Sequence, residues 1–250
     1  HLRITPAPVF ILLKTPYWDY RIGIPTKNIM SKIHIEILDN DRLIVFNKLK
    51  AFQNEGYLAG GTALALQLNH RISEDFDVFI NREIDNKLRL KVKEIFGDVT
   101  FYVNTADQIS FITQNSIKIT FLWYYFKTLR PTIPTNSLSL ASTDDIALDK
   151  AITIGKRAVW RDYVDVFYLL KNRYVDLEKI IRLSSKKFKG EFVSTQFLEQ
   201  LRYFDDVKIV PIEFVEKKYS DDEIRSYLQQ SVEDYLKKTL SAAPSSTPSS

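Results

Sequence analysis

An α+β fold, with a small mixed sheet flanked by helices and then a helical C-terminal domain, is predicted by three observations. Short apolar or alternating runs bounded by turn residues cluster between residues 57 and 126. Segments with apolar residues at helical spacing flank or interrupt that cluster, from Asp39 and from Asn86. After about residue 143 every segment carries the helical period and no strand signal follows.

Composition sets the outer bounds. A chain of 250 residues with 45% hydrophobic and 13% aromatic side chains can bury a sizeable core, as one large domain or two small ones. A net charge of +4 permits a nucleic-acid partner without arguing for one. The absence of cysteine excludes a disulfide framework and a thiolate metal site. The three histidines, His1, His34 and His70, are too scattered for a histidine-rich metal cluster. No apolar run has the length of a membrane span and no signal-peptide pattern opens the chain, so a soluble cytoplasmic protein is expected.

In chain order, residues 1–29 hold four of the nine prolines and no steady periodicity. They read as a poorly ordered arm. The lone methionine, Met30, follows at once, which suggests a native start there and a non-native 1–29. From Asp39, Leu43, Phe46, Leu49 and Phe52 recur at helical spacing, with Asp39, Asn40 or Asp41 as the cap and Gly56 as the stop. Tyr57 to Ala59 reads as a buried strand, Gly60-Gly61 as a tight turn, Thr62 to Leu68 as a helix, and Asp75 to Ile80 as a second strand. Asn86 to Phe96 is a basic helix with Leu88, Val92, Ile95 and Phe96 inward. Strands are expected over 99–103, 109–113 and 117–126, the last with Ile117, Ile119, Phe121 and Trp123 on one face. Pro131 and Pro134 mark a connection. Helices are then expected over 143–155, 161–171, 176–188, 194–204 and 221–240. Residues 241–250, SAAPSSTPSS, read as a disordered tail. The domains are thus 30–135, mixed α/β, and 136–240, helical, with a ligand cleft expected between them.

Chemistry concentrates in the stretch 57–80, YLAGGTALALQLNHRISEDFDVFI. On a strand, Asp75 and Asp77 point to one face and Phe76 and Val78 to the other. Two carboxylates about 7 Å apart at Cα can converge on a hard divalent cation. Such a cation holds nucleotide phosphates and assists displacement at phosphorus. Gly60, Gly61 and Thr62 lead into a helix, where glycine admits close approach of a phosphate and the first turn offers N–H donors. Taken singly, Gly-Gly is an ordinary turn and Asp-x-Asp a solvated strand edge or loop cap. Their order as strand, turn, helix, strand favours a phosphate cradle followed by a metal clamp.

At this length the pattern resembles a known family. Residues 60–79, GGTALALQLNHRISEDFDVF, are similar to the signature of the AbiEii/AbiGii-type toxin nucleotidyltransferases, within the polymerase-β-like nucleotidyltransferase superfamily. Residues 145–170, DIALDKAITIGKRAVWRDYVDVFYLL, resemble the family's later motif. Residues 202–206, RYFDD, resemble more weakly an aromatic-Asp-Asp segment near its C-terminus. The resemblance implies a nucleotidyltransferase-like sheet and transfer of a nucleotidyl group from an NTP. It implies Mg²⁺, with Mn²⁺ as an alternative, on Asp75 and Asp77. It implies the toxin of a toxin–antitoxin or phage-defence pair, with a cognate antitoxin protein and with RNA such as tRNA as acceptor. Lys150 and Asp162 then join Asp75 and Asp77 as catalytic residues. Arg157 and Arg161 join Gly60, Gly61 and Thr62 in binding the nucleotide.

The later motif also has a reading from spacing alone. Lys150, Arg157 and Arg161 share one stripe if a single helix continues through Gly155. Such a stripe could hold a triphosphate, with Asp162 and Asp165 orienting it. Alternatively, Arg161 and Asp165 form an ordinary surface pair at spacing four. Arg182, Lys186, Lys187 and Lys189 could contact a nucleic-acid backbone, or could be a plain solvated face. The sequence departs from the family in one respect. Many polymerase-β-like enzymes place a third carboxylate on a later strand, and 117–126 offers Lys118 and Thr120 instead. Two alternatives therefore stay open beside the toxin enzyme: a non-catalytic nucleotide- or partner-binding protein, and a transferase acting on a small molecule.

Overall fold

The computed structural model describes Val9–Ile11, Tyr17–Asp19, Ile24–Thr26 and residues 31–242. Strands β1 (Val9–Ile11), β2 (Tyr17–Asp19), β3 (Ile24–Thr26) and β4 (Ser31–Ile33) form two antiparallel pairs, β1 with β4 and β2 with β3. The remainder of 1–29, on which the expected arm falls, lies outside the described residues, as does the expected tail from residue 243 on.

The chain divides into two compact units, His1–Ile146 with Ile212–Lys217, and Ala147–Pro211 with Lys218–Ser250. The sequence places the first boundary about ten residues earlier and does not foresee the return of 212–217 to the first unit.

The first unit continues with α1 (Asn40–Leu49), β5 (Gly56–Ala59), α2 (Gly60–Leu68), β6 (Phe76–Ile80), α3 (Asn86–Phe96), β7 (Phe101–Asn104), β8 (Gln108–Ile112) and β9 (Lys118–Trp123). Asp39 caps α1 by accepting from the Arg42 amide at 2.8 Å, and Asp85 caps α3 through the Leu88 amide at 2.8 Å. The five longer strands form one mixed sheet in the order β5-β6-β9-β8-β7. β6 and β9 run parallel and the other neighbours antiparallel. The sequence expects a mixed α+β sheet with flanking helices, and this is what forms.

The sheet has one closed and one more open face. Leu58, Phe76, Val78, Ile119, Phe121, Ile109 and Phe111 are buried. Phe52 packs on Phe121 at 4.9 Å between ring centroids, and Phe96 on Phe111 at 5.3 Å. The 3-10 turn Lys50–Phe52 that follows α1 and the end of α3 thus seal the face that carries Phe76 and Val78. The alternate positions, Asp77 and Phe79 on β6 and Lys118 on β9, remain partly exposed. Helix α2 is apolar almost all round, and Thr62 to Leu66 are all buried. It packs against β4, β5 and β6.

The second unit is built on α4 (Thr143–Lys156), whose first turn belongs to the first unit. It continues with α5 (Trp160–Lys171), α6 (Leu177–Phe188), α7 (Ser194–Gln200) and α8 (Asp221–Ala242). Its core joins Trp160, Tyr163 and Phe204 in one aromatic group, and Phe167 with Tyr219 and Tyr227 in another. The weak aromatic-Asp-Asp match therefore supplies a core side chain in Phe204. No helix among the described residues is long and apolar enough to cross a membrane.

Candidate active site

The site in the first unit is assembled by the turn between β5 and α2. Gly60 has a φ of +67°, a left-handed conformation that other residues adopt at a cost. A Cβ there would stand 2.6 Å from Asp77 Oδ2. The register explains the closeness, since Ala59 is the direct partner of Asp77 across β5 and β6. The Asp77 carboxylate therefore lies against the first residue of α2. A Cβ at Gly61 would meet Arg71 Nη2 at 2.6 Å. Gly60 is required by its backbone conformation, whereas at Gly61 a side chain would have to displace the end of Arg71; both are part of the helix, where the sequence places a turn before it.

Asp75 stands one residue before β6 instead of inside it. Its backbone is fixed by Thr62, whose buried hydroxyl donates to the Asp75 carbonyl and lies 2.9 Å from Ser73 Oγ. Thr62 is 1% exposed, so its hydroxyl orders Asp75 and is not displayed to a ligand. The segment between α2 and β6 is held from its other side by residues 213–216. The Ile72 amide donates to the Glu213 carbonyl at 2.8 Å and the Val215 amide to the His70 carbonyl at 3.2 Å. Asn69 Nδ2 reaches Glu216 Oε1 at 3.2 Å. Arg71, 3% exposed, donates to the Ile72 carbonyl at 2.9 Å. Sequence reasoning leaves His70 and Arg71 between structural and substrate roles. Their burial, at 2% and 3% exposed, makes them part of the frame.

Across the parallel pair, Asp77 is the direct partner of Thr120. Thr120 is buried and its hydroxyl lies 3.1 Å from Ser110 Oγ. Lys118 Nζ stands 3.8 Å from Asp75 Oδ2. The strand that carries no carboxylate thus brings a hydroxyl beside Asp77 and an ammonium beside Asp75. Among the described residues no group of three or more histidines and carboxylates gathers to hold a metal ion. The donor set that is present, Asp75 and Asp77 beside the N-terminus of α2, fits a hard cation. Such an ion commonly takes one or two carboxylates and completes its shell with water and substrate phosphates. Ala59, the N-cap of α2, offers no side-chain cap to the first amides. An anion at that end meets N–H donors and the positive end of the helix dipole.

In the second unit, Lys150 is 8% exposed and bonded to Asp162, and its Nζ is 2.9 Å from Asp165 Oδ2. Asp165 is 0% exposed. One buried ammonium is thus shared between two buried carboxylates. Arg157, 67% exposed at its side chain, approaches Asp162 Oδ2 at 3.8 Å. The continuous stripe of Lys150, Arg157 and Arg161 does not form. α4 ends at Lys156 and α5 begins at Trp160, and between them Val159 makes a parallel bridge to Lys208. Lys187, grouped in the sequence with surface cations, is buried and bonded to Asp149 Oδ1 at 2.6 Å. Arg182, Lys186 and Lys189 are exposed. Burial and the charges of Asp206 and Asp162 push the Tyr163 phenol far up, and its hydroxyl donates to Gln200 Oε1 at 3.0 Å.

A depression of about 350 Å³ beside β7, lined by Phe96, Val99, Tyr102 and Ile112 among others, is lined by none of these residues. Its lining carries no cluster of charged groups.

Residues 44–128 match the family described as "Nucleotidyl transferase AbiEii toxin, Type IV TA system". The match runs from within α1 to just past β9 and includes the candidate residues of the first unit. A protein of Aquifex aeolicus, aq_aa25, described as uncharacterized, is 29% identical over 196 residues, covering 73% of this chain and 89% of its own. Among solved structures, MenT4, a nucleotidyltransferase toxin of Mycobacterium tuberculosis H37Rv, superposes with a TM-score of 0.54 at 15% identity, over 76% of this chain and 80% of its own. JHP933 of Helicobacter pylori superposes with a TM-score of 0.50 at 16% identity, over 84% and 98%. At such identities these two likenesses speak for the fold.

Proposed function

We propose that this chain, which carries a nucleotidyltransferase domain of the AbiEii toxin family, transfers a nucleotidyl group from an NTP to a hydroxyl of an RNA acceptor such as tRNA. The observation that carries the reading is the placement of Asp77 against Gly60 at the start of α2, with Asp75 ordered beside it by Thr62. Asp75 and Asp77 would hold a divalent cation, Mg²⁺ or Mn²⁺. When bound, that ion neutralises phosphate charge and makes the α-phosphorus more electrophilic.

The chain's own residues supply the rest. The first amides of α2 receive a phosphate oxygen, and Gly60 and Gly61 keep the approach clear of Cβ atoms. Thr62 fixes Asp75. The acceptor hydroxyl oxygen attacks the α-phosphorus and its proton passes to solvent, the bond to the bridging oxygen of the leaving group breaks, and pyrophosphate departs. In the second unit, Lys150 and Asp162 are assigned catalytic roles and Arg157 and Arg161 phosphate contacts. As the toxin of a toxin–antitoxin or phage-defence pair, the chain would be held inactive by a cognate antitoxin protein.

The test is incubation of purified protein with labelled NTPs, a divalent cation and total RNA. Labelled RNA is expected from the natural chain, and none from Asp75→Ala or Asp77→Ala. Growth arrest on expression, relieved by the same substitutions, supports the toxin role. Absence of both label transfer and metal-dependent NTP binding overturns it. That second outcome would favour the non-catalytic reading, for which Thr120 beside Asp77 is the specific observation. A label appearing on a small molecule and never on RNA would instead identify a small-molecule transferase.

A further inference from the structure

Lys118 is placed by the sheet, not by its own flexibility. Its strand lies between β6 and β8, and its backbone is in register with Ile112. The parallel register that sets Thr120 beside Asp77 brings Lys118, two residues earlier, beside Asp75 on the same face. Its Nζ is 3.8 Å from Asp75 Oδ2, with the two side chains 45% and 39% exposed. An exposed pair at that distance adds little to stability. Here, however, the carboxylate belongs to a residue whose carbonyl is held by the buried Thr62 hydroxyl. Thr120 brings no charge to the same row. The site face therefore presents two carboxylates and an ammonium that remains open to solvent.

We infer that Lys118 forms an anion subsite for the triphosphate chain and takes the place of a second divalent cation, so that the site works with a single metal ion. The inference rests on the nucleotidyl-transfer reading above. Without a ligand, the ammonium lies on Asp75 and competes with a cation for it. When a triphosphate arrives, the flexible lysine turns to a phosphate oxygen, a stronger charge-assisted partner than a solvated carboxylate, and Asp75 is released to the metal. Lys118 is thus a binding residue whose two partners are used in turn.

This makes an opposed pair of expectations, measurable by calorimetric titration with Mn²⁺ alone and with inorganic tripolyphosphate in the presence of Mn²⁺. In Lys118→Met, Mn²⁺ alone should bind about threefold tighter or better, because Asp75 loses its competing cation. Tripolyphosphate should bind about tenfold more weakly, because a charge-assisted contact is lost. Lys118→Arg should keep the tripolyphosphate affinity within about threefold. Thr120→Asp, which sets a carboxylate beside Asp77, should strengthen Mn²⁺ binding or add a second bound ion, read by the Mn²⁺ stoichiometry. Circular dichroism checks that each variant is folded.

If Lys118→Met leaves both affinities unchanged, Lys118 is an incidental surface lysine and the inference fails. If both affinities fall together, Lys118 merely orders the site, and the inference also fails. Two Mn²⁺ ions bound to the natural chain would overturn the single-metal assignment. A folded natural chain that binds neither Mn²⁺ nor tripolyphosphate would overturn the nucleotidyl-transfer reading itself. Normal RNA labelling together with an inert Lys118→Met would remove only the subsite.

Discussion

Gly60 is where conformation and chemistry meet in one residue. Its positive φ and the 2.6 Å from its missing Cβ to Asp77 Oδ2 are independent reasons for glycine. Gly60→Ala is expected to cost about 1–2 kcal/mol in a urea titration from the left-handed backbone. It should also lower label transfer by about a hundredfold, because a displaced carboxylate misaligns the reacting groups. Unchanged transfer would disconnect Gly60 from the site. Lys150 makes a different expectation. It is shared by a buried pair of carboxylates, so Lys150→Met removes their common ammonium and should destabilise the fold by about 3–5 kcal/mol. A catalytic lysine with no structural duty would leave the urea midpoint in place. Both glycines, Asp75 and Asp77 were legible in the sequence because they are contiguous and local backbone rules act on neighbours. The duty of Thr62 was not legible. A threonine after two glycines reads as a ligand hydroxyl until the fold brings the Asp75 carbonyl to it.

At the scale of elements, periodicity did its work where the sequence places it, and carboxylates cap three helices, of which the sequence reading names only Asp39. Asp39, Asp85 and Asp176 each cap a helix through the amide three residues on. Asp176→Ala should cost about 1 kcal/mol, measured by thermal or urea unfolding, because only the α6 cap is lost. The break between α4 and α5 is less visible, since glycine at 155 and good helix formers around it permit either outcome. Tertiary pairing of Val159 with Lys208 accompanies the break.

Glu55, just before β5, joins Arg82 after β6 and Lys91 on α3, at 2.7 and 3.0 Å. The Arg82 guanidinium, and then Lys91, hold its carboxyl below the usual glutamate value of 4.5. A depressed folded value stabilises the protein above the ordinary value, and the gain is lost as pH falls below 4.5 through the folded one. Glu55→Gln is therefore expected to be less stable than the natural chain at neutral pH. The two should converge as the pH is lowered below 4, followed by urea midpoints. A constant gap across that range would exclude Glu55 as the source.

At the scale of the molecule, the segment 212–217 leaves the helical part of the sequence to join the first unit, where its backbone pins 70–72 ahead of Asp75. Val215→Pro removes the amide that donates to the His70 carbonyl. Hydrogen exchange at residues 70–73 is expected to quicken, and label transfer to fall several-fold, with little change in the exchange of α8. Unaltered exchange at 70–73 would mean that the contact does not order the site segment.

The sequence by itself determined the fold class, the order of the elements from α1 onward, and where the carboxylates and glycines of the first unit fall along them. Each of these depends on residue type and on spacing within one or two elements, where backbone geometry leaves few choices. Only the tertiary structure decided that Thr120 and Lys118 stand beside Asp77 and Asp75. A parallel pairing joins strands separated by α3, β7 and β8, and its register is set by packing. The same holds for the return of 213–216, which works through main-chain groups that every residue possesses. It holds also for Lys187, whose charge can pass for solvated in sequence, and for Lys150, read there as facing a ligand; both are buried against carboxylates from other helices.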